Sequence, residues 1–223
     1  MIWILFGIFA LASWLVSRSL ENKFKKYSQV PLRMTGREVA EKMLRDNGIM
    51  DVQVTCTPGH LTDHYNPATK TVNLSESVYS SASVAAAAVA AHECGHAVQH
   101  EVEYAPLKMR TALVPVVNFA NQWMSWVILG GILMIESFPQ LLEFGVALYG
   151  ITTLFAFVTL PVEVNASQRA VEWLREAGIT DSETTEMASS ALHSAAYTYV
   201  VAALSSLATL VYYILILAGG RRD

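Results

Sequence analysis

Four long stretches of this chain carry no charge, and they restrict its possible folds more than any other feature. Residues 111–135 and 194–218 each run 25 residues uncharged, 144–162 runs 19, and 1–16 is almost wholly apolar. The hydrocarbon core of a bilayer takes about 20 apolar residues of helix, so the pattern predicts about four transmembrane helices in a mainly α membrane protein. Only 15% of the residues are charged, against roughly 25% in soluble domains, and the mean hydropathy is +0.35. The first stretch is the shortest. It lacks the basic flank and small-residue cleavage site of a signal peptide and reads as a retained anchor. The expected partition is an anchor over 1–17, a soluble domain over 18–110, two spanning helices within 111–162, a helical segment over 163–193 and a last spanning helix over 194–218.

Orientation follows from the basic residues. Of 15 lysines and arginines, 13 lie in 18–110 and 163–193. The opposite side holds the loop "ESFPQLLE", with Glu136 and Glu143, and the tail with Arg221 and Arg222. Cytoplasmic loops are enriched in Lys and Arg, so the two large segments are expected in the cytoplasm, although the tail arginines oppose the rule. The lysines of "SRSLENKFKKYSQV" suit anionic headgroups beside the anchor. A lipid bilayer is thus an expected partner. The net charge of −4 gives no sign of nucleic-acid binding. Cys56 and Cys94 form no CxxC pair and make a poor zinc clamp; a cytoplasmic compartment keeps them reduced.

The soluble part mixes helix and strand. In "TGREVAEKMLRDNGIMDV", Thr35 and Glu38 form a capping box, Val39, Met43 and Leu44 share a face, and Gly48 stops the helix. "VQVTCT" and "TKTVNLS" read as strands, separated by the turn chemistry of "PGHLTDHYNPA", so a sheet of two or three strands is expected. Ser77 or Ser81 is expected to open the alanine-rich helix ending in "AAHECGHAVQH". The apolar run before His92 is too short to span a membrane.

That helix carries the chemistry. At about 100° per residue, His96 falls about 40° from His92, Glu93 about 100° and Cys94 about 200°. The two histidines share a face and can bind one ion. Glu93 stands beside them, able to reach a metal-bound water, which is the H-E-x-x-H geometry of zinc peptidases. Gly95 permits close packing against a neighbour. Cys94 points away and reads as core. His100 is a tempting third ligand, but it lies about 12 Å along the helix from His92 with no intervening glycine turn. Glu163, in "LPVEVNASQRAVEWLREAG" at the end of the third span, is the better candidate. The expected topology brings it to the same membrane face, and two histidines with a glutamate form a known catalytic zinc set. Ser167 and Arg169 follow within two turns and could orient Glu163 or a histidine. His64, within "DHY", and Asn73, in "TVNLS", are candidate substrate contacts, with "TVNLS" as the sheet edge along which a peptide would add. Tyr199, Tyr197 and His193 open the last span; any of the three could donate to the oxyanion, with Tyr199 the one singled out.

The stretches "LTDHYNPATKTVNLSESVYSSASVAAAAVAAHECGHAVQH", "LPVEVNASQRA" and "TYVVAALSSL" resemble, in the same order, the membrane-anchored bacterial neutral zinc metallopeptidases, the YugP-like family. The likeness covers nearly the whole chain. It implies a multi-pass protein of a bacterial plasma membrane with a small α+β zincin-like domain. It also implies an endopeptidase that uses one Zn²⁺ and takes a protein or peptide substrate. The layout is similar as well to larger gluzincin peptidases, which often show Glu-x-x-x-Asp at the later site; here Ser167 stands in the Asp position. The rival expectation is a membrane scaffold that keeps the peptidase fold without catalysis, against which Glu93 argues. A metal transporter would need chelating residues within the spans, and the apolar stretches offer none.

Overall fold

The computed structural model describes residues 2–59 and 61–219; Met1 and the tail arginines Arg221 and Arg222 lie outside the described residues. The elements are α1 (Ile2–Tyr27), α2 (Gly36–Asp46), β1 (Gln53–Thr57), β2 (His64–Asn66), β3 (Thr71–Ser75), α3 (Glu76–Tyr79), α4 (Val84–Glu101), α5 (Ala105–Leu133), α6 (Pro139–Glu176) and α7 (Ser182–Gly219). Among the described residues four helices, α1, α5, α6 and α7, are long and apolar enough to cross a membrane. The protein is a mainly α membrane protein with a small α+β part. The helices run beyond the apolar stretches: α6 continues to Glu176 and α7 begins at Ser182, so most of 163–193 is helix continuous with the spans.

The chain divides into two compact units. One comprises residues 1–13, 108–160 and 199–223. Within it, Gly131 and Gly145 let helices approach closely: an added Cβ at Gly131 would meet the Leu142 backbone at 2.6 Å. Several hydroxyls in this apolar setting bond to one another or to their own helix, while Thr159 Oγ1 is buried with no hydrogen-bond partner among the described residues. Thr153 Oγ1 lies 2.7 Å from Ser206 Oγ and 3.0 Å from the Tyr149 carbonyl, as buried polar groups require. Phe6 meets Tyr212 edge-on, and Tyr149 meets Tyr213.

The other unit comprises 14–107 and 161–198. α2 starts with the expected capping box, Thr35 and Glu38 bonding reciprocally, and Gly48 closes it at φ +73°. Val39, Ala40, Met43 and Leu44 are buried against the alanine-rich α4, with Val72 and Leu74 of β3 completing the core. α4 begins at neither Ser77 nor Ser81: Ser83 is its cap and accepts from the Ala86 N–H. Ser77 falls inside the separate short α3, and Ser81 instead donates to Ser83. The sheet order is β1-β3-β2, with β1 parallel and β2 antiparallel to β3. "TVNLS" is therefore the central strand and not an edge. The third strand, "HYN", lies in the segment read as turn, and it pairs with β3 across a turn in which Asn66 Oδ1 accepts from Ala68 N–H at 3.0 Å.

Candidate metal centre

His92 and His96 stand one turn apart on α4, with ring centroids 4.8 Å from each other. Glu163 projects from α6, two residues beyond Pro161, and its side chain is only 4% exposed. Both imidazoles approach the same carboxylate oxygen: His92 Nε2 at 3.3 Å and His96 Nε2 at 3.6 Å from Glu163 Oε2. One donor atom from each of the three residues falls within 4.8 Å of the others. Tetrahedral zinc with bonds of about 2.0–2.1 Å sets its ligand atoms about 3.3 Å apart, a spacing that the two distances to Glu163 approach.

The outward nitrogens are bonded elsewhere. His92 Nδ1 lies 3.1 Å from Ser167 Oγ, and His96 Nδ1 lies 3.1 Å from Gln99 Oε1. Both rings thus turn Nε2 inward. Burial opposes the imidazolium of His96, yet Glu163, Glu93 and Gln99 together hold its pKa above the ordinary histidine value.

The helices meet here because Gly95 has no side chain. A Cβ at that position would lie 2.7 Å from the Ala166 carbonyl oxygen on α6. This contact sits between the two histidines in sequence, so it fixes how far Glu163 stands from both. Glu93, buried on the neighbouring face, accepts the backbone N–H of Tyr65 at 3.0 Å. β2, one edge of the sheet, is thus bonded directly to the glutamate of the motif.

A family model described as "Putative neutral zinc metallopeptidase" matches residues 2–218. The chain belongs to this family. "Putative membrane protease YugP" of Bacillus subtilis (strain 168) is 39% identical to it over 226 residues, covering 100% of both chains. No solved structure matches.

Other residues of this metallopeptidase family member stand as follows. His100, near the end of α4, is exposed and meets the Tyr65 hydroxyl at 3.1 Å. It is outside the cluster of three donor residues. Arg169 donates to Asn165 Oδ1 at 2.8 Å. His64 is exposed on β2, with Nδ1 2.7 Å from the Thr62 carbonyl. Asn73 uses its side chain within the sheet, accepting from Thr55 at 2.8 Å and donating to Thr71 Oγ1 at 3.0 Å. Tyr199 is half-buried on α7 within the other unit. Sequence reasoning missed three groups: Gln99, Asn165 and the Tyr65 N–H. Gln99 lies one turn beyond His96 on the same helix, a spacing that could have flagged it. The other two depend on tertiary contact. A cavity of about 230 Å³ opens between α6 and α7, with Ser167, Val171, Arg175, Leu192 and His193 in its wall.

Proposed function

We propose that this chain is an active zinc endopeptidase of the membrane, with His92, His96 and Glu163 holding one Zn²⁺ and Glu93 as general base. The observation that carries this reading is the convergence of the Nε2 atoms of His92 and His96, from the helix that also presents Glu93, on Glu163 Oε2 of α6 at 3.3 and 3.6 Å. Zinc in such a site lowers the pKa of a bound water to about 7 and polarises a carbonyl. Glu93 takes the proton of the attacking water and passes it to the leaving amine. Tyr65 N–H holds one oxygen of that carboxylate, so the base keeps its place while the proton moves. Ser167 and Gln99 keep the imidazoles facing inward.

The substrate lies as an extended segment along β2, the strand tied to Glu93, where backbone pairing gives affinity. His64 is exposed on that strand and meets it. The cavity between α6 and α7 receives a substrate side chain. Thirteen of 15 basic residues lie in the two soluble segments, which supports a site on the cytoplasmic side. The substrates are extended cytoplasmic segments of membrane or misfolded proteins. A scaffold without catalysis would have no use for an anchored carboxylate beside its metal, and Glu93 favours the enzyme.

The Glu93→Gln variant tests this. Purified protein should keep its zinc and fold while casein cleavage falls by about 10²–10⁴, the usual share of general acid–base catalysis. Unchanged turnover would sink the assignment.

A further inference from the structure

A row of polar side chains links His96 to a permanent hydrogen-bond donor. His96 Nδ1 faces Gln99 Oε1 at 3.1 Å, and Gln99 Nε2 faces the Val162 carbonyl at 2.8 Å and Asn165 Oδ1 at 3.0 Å. Arg169 Nε faces the same Asn165 oxygen at 2.8 Å. Gln99 is fully buried.

The direction of this row is dictated from its far end. A guanidinium only donates and stays charged at any ordinary pH, so Asn165 must turn its oxygen toward Arg169. Gln99 approaches that same oxygen and must offer its NH₂ group. The Val162 carbonyl, which only accepts, demands the same orientation. The Gln99 oxygen is left facing His96, and it too can only accept. In its neutral form His96 therefore carries its hydrogen on Nδ1 and its lone pair on Nε2, toward Glu163, the form a metal ion takes. Reversing the Gln99 amide would set its oxygen against two acceptors in a buried place, at the full cost of unmade hydrogen bonds.

We propose that Arg169, Asn165 and Gln99 form a directional relay that locks His96 in the tautomer able to bind a metal through Nε2, and that Gln99 also ties α4 to the α6 backbone at the residue before Glu163. The three are positioning residues. His92 has no such lock, because its partner Ser167 is a hydroxyl that can donate or accept. The inference rests on the metal reading proposed above.

The test uses the full-length zinc-loaded protein in detergent, with Gln99→Met, Arg169→Met and Arg169→Lys variants. Zinc affinity is measured by competition with a chelator, and the histidine N–H groups by one-bond ¹H–¹⁵N correlation. In the unaltered protein His96 should show a protonated Nδ1. Gln99→Met should weaken zinc binding by about 10–100-fold, the usual cost of losing a ligand's outer partner. Arg169→Met should weaken it less, and Arg169→Lys, still a pure donor, should restore it. Unchanged affinity and an unchanged Nδ1–H signal in both Met variants would overturn the relay. So would a proton on His96 Nε2, or equal losses in Arg169→Met and Arg169→Lys. Should Gln99→Met fail to fold, the Arg169 pair still decides. Failure of the metal reading looks different: the unaltered protein takes up no zinc and His92→Ala changes nothing, which overturns both.

Discussion

Glu163 is the most constrained carboxylate of the α+β unit, almost fully buried with two imidazoles on one of its oxygens. A lone carboxylate could not stay ionised at that depth without partners of this kind. Removing it should cost the metal, so Glu163→Ala is expected to lower zinc content far more than His100→Ala, measured by elemental analysis of the purified proteins. His100 is exposed and bonded to Tyr65, and loss of zinc in His100→Ala with retention in Glu163→Ala would reverse the assignment. His92, Glu93 and His96 were legible in the sequence because helix geometry alone puts them together. Glu163 was legible through topology. Gln99 and Asn165 were not, because a polar side chain's partner depends on which helix packs opposite. Ser167 and Arg169 were singled out by nearness to Glu163 as able to orient it or a histidine; Ser167 does meet a histidine, His92, whereas Arg169 meets Asn165.

Between elements, the decisive contact is α4 against α6 at Gly95. Even one methyl group there would press on the Ala166 carbonyl at 2.7 Å, and backbone cannot turn aside as a side chain can. Overpacking of this kind costs about 1–3 kcal/mol, more than the up to about 1 kcal/mol that Ala gains over Gly in a helix. Gly95→Ala should therefore lower both the melting temperature and the zinc content. Gly150→Ala, where an added Cβ meets nothing within 4 Å, should do neither. A Gly95→Ala protein with normal zinc content would show that the helices have room to spare. The capping box of α2 was readable because it is written in four consecutive residues. The place of β3 in the sheet was not, because its second neighbour, β2, is only three residues long and sits among turn formers.

At the scale of the whole molecule, uncharged stretches were a sufficient guide to the spans, since lipid tolerates little else. Hydropathy marks where lipid ends, however, and not where a helix does, so 163–193 reads as helical in the sequence but not as continuous with the spans. Single cysteines placed at Lys70 and Gln140 should label from opposite sides of the membrane, with Lys70 cytoplasmic. The exposed Cys56 must first be removed; Cys94 can stay, because complete burial pushes its thiol pKa far up. Labelling of both from outside intact cells would overturn the topology. Cleavage sites mapped by mass spectrometry in reconstituted membranes should cluster in juxtamembrane or unfolded segments, and cuts at the centres of spanning helices would indicate an intramembrane protease instead. The order of the three proposed ligands along the chain has a consequence in time. Glu163 leaves the ribosome 67 residues after His96, roughly 3–13 s later at about 5–20 residues per second. During that interval α5 and much of α6 are made while two histidines wait without their carboxylate. A nascent chain cannot bring His92, His96 and Glu163 together before most of its membrane part exists, so synthesis itself postpones the moment at which the proposed metal site is complete.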